Sequence, residues 1–137
     1  MTGFLLDTNV VSELRKREGC SAKVSAWASM VPSNQDFLSV LVVGELRRGA
    51  MLKRRRDSAA AEALEKWIAR LVQLYSDRIL PVTLEIAYEW GRLSALRPIP
   101  PEDGLMAATA QVHQLTLATR NIRNVQGLGI SLVNPWT

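Results

Sequence analysis

A chain of 137 residues, 47% apolar and 22% charged, has the size and make-up of one globular domain, and a single domain over 1–137 is expected. One cysteine (Cys20) and one histidine (His113) exclude a disulfide framework, a thiolate zinc site, an HExxH zinc site and catalysis by paired histidines. Seventeen Lys and Arg against thirteen Asp and Glu leave a net charge of +4, which permits an anionic partner such as nucleic acid without requiring one.

Phe4-Leu5-Leu6 reads as a short buried strand that runs into Asp7, and a helical apolar pattern begins just beyond it, the opening half of a βαβ unit. The helix is expected from Asn9 to about Arg17, with Val10, Val11 and Leu14 on one side and Glu18-Gly19 breaking it. A short helix around Lys23–Met30 and a loop at Pro32–Gln35 lead to a strand at Phe37-Leu38, after which Ser39 is a plausible cap. The next helix, Val40 to about Lys53, has an apolar stripe of Leu41, Val42, Leu46 and Gly49 with Glu45 in its middle. An ionised carboxylate against an apolar interior is costly unless it is paired or coordinates a metal.

Ser58–Tyr75 has the clearest helical spacing, with Leu64, Trp67, Ile68, Leu71, Val72 and Tyr75 expected inward. A strand at Ile79–Val82 precedes a helix capped by Thr83 and running through Leu96. Arg97–Pro101 is a rigid loop whose last proline suits the first turn of a helix from Glu102 to about Gln114, with Asp103 in that turn. Thr116–Thr119 is a strand, Arg120–Gly129 a loop, and Ile130–Val133 the final strand. Strands alternating with helices predict a mainly parallel sheet covered on both faces. No apolar run approaches the ~18 residues that span a bilayer. The first apolar stretch ends at Asp7 with no basic region ahead of it, unlike a secretory leader, so a soluble cytoplasmic protein without a membrane partner is expected.

Three carboxylates occupy comparable places: Asp7 after the first strand, Glu45 on the helix after the second, and Asp103 at the start of a late helix. In a parallel sheet with right-handed crossovers, strand ends and the first turns of the following helices converge on one edge. Carboxylates gathered there repel one another unless a cation joins them, and hard oxygen ligands select Mg²⁺ or Mn²⁺. The chemistry that fits is hydrolysis of a phosphodiester without a covalent intermediate. Each acid also has a plain reading. Asp7 could cap its helix, Asp103 and Glu102 could answer a helix dipole, and Glu45 could pair with an arginine.

The segment Leu6-Asp7-Thr8-Asn9-Val10-Val11-Ser12-Glu13 resembles the opening motif of PIN-domain ribonucleases, in particular the VapC-type toxins of type II toxin–antitoxin pairs and their FitB-like branch. The resemblance continues through Ser39–Gly49, Arg97–Ala108, Leu117–Asn121 and Gly127–Trp136, in order along nearly the whole chain. It implies a PIN-like three-layer α/β sandwich with about five mainly parallel strands, and a Mg²⁺- or Mn²⁺-dependent endoribonuclease site. Asp7, Glu45 and Asp103 match three of the family's metal-site acids. Asn124 stands where the family usually has a fourth acid, a departure that weakens metal binding. Asn9, Thr119, Asn121 and Asn124 are its supporting residues, the last three able to orient a water. The implied partners are a VapB/FitA-like antitoxin whose helical tail lies in an apolar groove, an RNA of the tRNA or rRNA class, and a second copy of the chain. The alternative is a weakened or inactive PIN fold that binds antitoxin or RNA without cleaving.

Arg47, Arg48, Lys53, Arg54, Arg55 and Arg56 crowd one helix and its end. Their plain reading is a solvated face; their functional reading is a phosphate-contacting rim that positions RNA, Arg47, Arg48, Arg54, Arg55 and Arg56 being the candidates. The helices over 40–53 and 58–75 are expected to wall the antitoxin groove. A haloacid-dehalogenase phosphatase would need a second acid where Asn9 stands, and a dinucleotide fold would need a third glycine beyond Gly127-Leu128-Gly129.

Overall fold

The computed structural model describes residues 3–137, so the first two positions of the expected 1–137 domain lie outside the described residues. Five short strands, β1 (Phe4–Leu6), β2 (Asp36–Ser39), β3 (Ile79–Leu80), β4 (Thr116–Ala118) and β5 (Leu132–Val133), form one sheet in the order β3-β2-β1-β4-β5. Every pairing is parallel, and Leu5 at the centre is in register with Phe37 on one side and Leu117 on the other. Helices α1 (Thr8–Arg15), α2 (Ala22–Met30), α3 (Val40–Arg54) and α4 (Ser58–Leu74) link β1 to β3. Helices α5 (Leu84–Ser94) and α6 (Pro101–Val112) return the chain to β4, and α7 (Ile122–Val125) joins β4 to β5.

The chain steps one way across the sheet from β1 to β3, then jumps back past β1 and steps the other way. With right-handed crossovers, that reversal puts α1–α4 on one face and α5–α7 on the other. The packing agrees: α1 touches α2 and α3, α3 lies against α4, and separately α5 packs on α6 and α6 on α7. The expected three-layer α/β architecture is thus the observed one. Its core is Leu5, Leu38 and Leu117 from the sheet with Val10, Val42, Ile86 and Leu93 from the helices, all fully buried or nearly so. A sheet covered on both faces needs apolar residues at successive positions, which is why its strands read as short apolar runs.

The caps follow the sequence closely. Ser39 accepts from the Leu41 N–H at the start of α3, Thr83 from Ile86 at the start of α5, and Pro101 opens α6. Several details differ, among them the two-residue strands β3 and β5 in place of Ile79–Val82 and Ile130–Val133. Helix α1 begins at Thr8 and ends at Arg15, and a 3-10 turn over Arg17–Gly19 follows where a plain break was expected. The buried stripe of α3 is Val42, Leu46 and Ala50, a strict four-residue spacing; Gly49 is exposed, and Glu45 flanks the stripe half-buried instead of sitting in its middle. On α4, Val72 is 36% exposed, and the buried residues are Ala61 and Ile68. Within the expected loop at 120–129 lies α7, whose four residues are too few to show a helical period.

Gly104 decides how α6 seats on α5. A Cβ there would stand 2.9 Å from both the Trp90 ring and the end of Ile99. The Ile99 methyl can turn away, but the ring is held between helices. Gly104→Ala is expected to lower stability by roughly 1 kcal/mol, an overpacking cost of about 1–3 kcal/mol less the helix-propensity gain of about 1 kcal/mol. A denaturant midpoint equal to that of the parent chain would show that the ring yields without cost.

Candidate active site

The strand order reverses between β1 and β4, and the crevice at the carboxyl ends of the strands beside such a reversal is where ligands bind in open α/β sheets. Asp7 follows β1 and Thr119 follows β4, so the two face each other across this crevice. Asp7 is 9% exposed; one carboxylate oxygen accepts the Thr8 N–H at 2.8 Å and the other accepts the Thr119 hydroxyl at 2.7 Å. The cap reading of Asp7 therefore holds, and capping α1 is what pins the carboxylate in the crevice.

Thr119 is itself fixed. Its Oγ1 accepts the Asn121 N–H at 3.0 Å and lies 3.5 Å from the Asn9 amide nitrogen, whose Oδ1 accepts the Arg120 N–H at 3.3 Å. Asn9 is thus a tie between α1 and the turn after β4. Asn121 is exposed and contributes its backbone N–H, while its side chain has no hydrogen bond among the described residues. Asp103, in the first turn of α6, accepts from Nδ2 of Asn124 at 2.8 Å. His113 lies at the far end of α6, about 15 Å away along the helix axis.

The acids feel one another. Glu45 is pushed up to about 7, first by burial and then by the neighbouring Glu102, which lies close enough to share its proton, with Asp7 adding to the shift. Asp103 is also raised, by burial against the Asn124 hydrogen bond that lowers it, and by the charges of Asp7 and Glu102. Glu102 is the acid that sequence reasoning missed as a site residue. It is adjacent to Asp103 in the same first turn, where a helix dipole already accounted for it. Among the described residues no three acidic, cysteine or histidine side chains close into a ligand cage of their own. An open set of oxygen donors suits an ion that keeps several of its waters. The Thr8 hydroxyl beside Glu45 is buried with no partner at bonding geometry among the described residues.

The basic run divides. Arg47 pairs with Glu65 at 3.0 Å, and Arg54 with Glu65 at 3.0 Å and Glu62 at 3.4 Å, so both staple α3 to α4. Arg48, Arg55 and Arg56 make no ion pair among the described residues; Arg48 and Arg55 border a shallow depression of about 320 Å³ with Met51 and Leu52. Arg54 lies nine residues beyond Glu45, about 13 Å along the helix axis, so this end of α3 is an outlying surface of the crevice. A cation on the turn beside Thr119 is Arg120, whose guanidinium stacks 4.9 Å from the Trp136 ring centroid. The Thr119-Arg120-Asn121 and Asn134-Pro135-Trp136 motifs were its signal in the sequence.

The open apolar groove of about 210 Å³ runs between α1 and α4, lined by Val11, Leu14, Trp67, Leu71 and Leu74 with Arg15 and Arg17 at its edge. Helices α3 and α4, the walls expected for the antitoxin groove, pack directly on each other.

A five-stranded parallel sheet with acids at its switch point is the architecture of a known class, and the comparison with families bears this out: the PIN domain matches residues 4–126. The chain belongs to the PIN-domain family, in its VapC/FitB branch. It is 32% identical to Toxin FitB of Neisseria gonorrhoeae over 97% of this chain and 98% of that protein. It is 34% identical to VapC ribonuclease Y4jK of Sinorhizobium fredii over 97% of each. The crystal structure of FitAcB from Neisseria gonorrhoeae superimposes with a TM-score of 0.87 at 31% identity, covering 97% of this chain and 98% of that one. VapBC-1 from nontypeable Haemophilus influenzae shares the fold, with a TM-score of 0.75 at 21% identity over 98% of each chain. Among the described residues no helix is long and apolar enough to cross a membrane.

Proposed function

We propose that this chain is a Mg²⁺- or Mn²⁺-dependent endoribonuclease, the toxin of a toxin–antitoxin module, acting in the cytoplasm as one domain over 1–137. The observation that carries the reading is the set of carboxylates at the switch-point crevice, where burial first, and then the charges of Asp7 and Glu102, raise Glu45 and Asp103 above the usual carboxylate range. The relatives support it: one is named a toxin and one a ribonuclease, and a structural neighbour from Klebsiella pneumoniae is a toxin–antitoxin complex.

Asp7, Glu45 and Asp103 would hold the ion, with Glu102 beside them. Bound there, it supplies Lewis acidity to a phosphodiester and lowers the pKa of a water. The chain's own residues set the stage. Thr119 and the Thr8 N–H fix Asp7, Asn124 fixes Asp103, and Asn9 ties the turn after β4 to α1. Glu45, raised to about 7 without the ion, gives up its proton when its carboxylate takes the ion.

The test is cleavage of structured RNA by the purified chain in Mg²⁺, in Mn²⁺ and in EDTA. Cleavage in the metals and none in EDTA is expected. Binding of RNA without cleavage in either metal would overturn the nuclease reading in favour of the inactive fold that Asn124 invites.

RNA reaches the crevice over a basic surface, for which Arg48, Arg55, Arg56 and Arg120 are the contacts proposed. Arg47 and Arg54 are already engaged by Glu62 and Glu65. Changing Arg48, Arg55 and Arg56 together to serine is expected to weaken RNA binding and reduce the slope of log K against log salt by about 2, at roughly 0.7 per phosphate contact with single strands. An unchanged slope in a salt titration would remove α3 from the RNA surface. The antitoxin's apolar helix is proposed to lie in the groove between α1 and α4. A homodimer is proposed through α5, where Leu84 and Tyr88 are each 76% exposed.

A further inference from the structure

Arg97 lies in the loop between α5 and α6, and its guanidinium crosses to the end of α7. Nη2 donates to the Asn124 carbonyl at 3.1 Å and to the Gln126 carbonyl at 2.7 Å, while Nη1 donates to the carbonyl of Pro98 at 3.2 Å. The first two are carbonyls of the kind that a helix end leaves without partners. Helix α7 has only four residues and closes few bonds of its own, among them Asn124 N–H to Asn121 at 3.2 Å and Gln126 N–H to Ile122 at 2.8 Å. A helix that short has no stability by itself. Its place is set from outside.

One of its residues reaches the acids. Asn124 is held by its backbone carbonyl to Arg97 and by its side-chain amide to Oδ2 of Asp103. Arg97 and Asp103 stand at the two ends of one rigid segment, Arg97-Pro98-Ile99-Pro100-Pro101-Glu102-Asp103, three of whose seven residues are prolines. The contacts form a closed ring: proline segment, Arg97, backbone of α7, Asn124 side chain, Asp103, and back to the segment.

We propose that Arg97 is a positioning residue for Asp103, acting through Asn124. By fixing α7 it keeps the Asn124 amide on Oδ2 and leaves Oδ1, which has no hydrogen bond among the described residues, as the oxygen offered to a cation. This rests on the reading of the crevice as a metal site. It also gives Asn124 a role that an acid could not fill, since an amide donates to Asp103 where a second carboxylate would repel it.

The experiment compares Arg97→Ala, Arg97→Lys, Asn124→Ala and the Arg97→Ala/Asn124→Ala double variant with the parent chain. Mn²⁺ affinity is measured by calorimetry, amide hydrogen exchange by residue, and the Asn124 side-chain NH₂ resonances by NMR. Arg97→Ala is expected to lose about 10-fold in Mn²⁺ affinity, the lower end for removal of an outer-sphere partner. Exchange at Asn124 and Gln126 should quicken while α1 and α3 stay protected. Arg97→Lys, which lacks the fork that spans two carbonyls, should recover only part. Because the two residues act in series, the double variant should be no weaker than the worse single.

Losses that multiply in the double variant overturn the proposal, as does parent-like Mn²⁺ affinity in Arg97→Ala alongside a loosened α7. Should the parent chain itself bind no Mn²⁺, the metal reading fails, and the Asn124 NH₂ resonances decide the latch separately. A shift toward a free amide in Arg97→Ala supports it, and no shift overturns it.

Discussion

Asp7→Asn is expected to cut metal-dependent RNA cleavage by more than about 100-fold while leaving the chain folded and as stable or more so. The reason lies in the two bonds that hold this side chain. An asparagine keeps an oxygen for the Thr8 N–H or the Thr119 hydroxyl, so the start of α1 survives. It loses the charge, and with it the strongest attraction that the crevice offers a divalent cation. Loss of an outer-sphere partner alone costs roughly 10- to 100-fold, and a direct ligand should cost more. Removing one of several mutually repelling carboxylates also relieves the strain that raises Glu45 and Asp103, and this is why stability should not fall. Cleavage rates and thermal midpoints of the two chains, each with and without Mn²⁺, check both halves. A variant that cuts as well as its parent would show that the acids are not the site.

The second large effect is a pH dependence that changes when metal is removed. Folding raises Glu45 from 4.5 to about 7 and moves Asp103 in the same direction, so between these values the folded chain holds protons that the unfolded chain has released. Stability is then highest below the unfolded pKa and is lost as pH rises through the folded one. In EDTA the thermal midpoint should fall from about pH 5 toward pH 8. A divalent cation competes with those protons and should do most where they have left, stabilising the chain by about 2.7 kcal/mol at a hundred times its Kd. The gap between the Mn²⁺ and EDTA midpoints therefore opens as pH rises, and Glu45→Gln should flatten the EDTA curve. A gap that is the same at pH 5 and pH 8 would contradict the coupling of these acids to a cation.

The order of elements and most of their ends could be read from the chain because local chemistry sets them: apolar runs for strands, Ser39, Thr83 and Pro101 for helix starts. What could not be read depended on partners distant in sequence. The inward face of α3 follows Val42, Leu46 and Ala50, which join the core built from distant elements, and no spacing within α3 reveals that choice. The basic run looked uniform, yet Glu62 and Glu65 on the next helix claim two of its arginines and leave the others.

By itself the sequence determined the α/β class, the membership in the PIN-domain family, and the three acids Asp7, Glu45 and Asp103 as candidates, since each stands just beyond a strand or in the first turns of a helix. Only the tertiary structure decided that Glu102 presses on Glu45, that Thr119 holds Asp7 across 112 positions, and that Asn124 grips Asp103. The physical reason is the strand order. Placing β4 beside β1 brings distant turns to one crevice, and the charges and hydrogen bonds that tune a carboxylate act through space over a few ångströms, however far apart their residues lie along the chain.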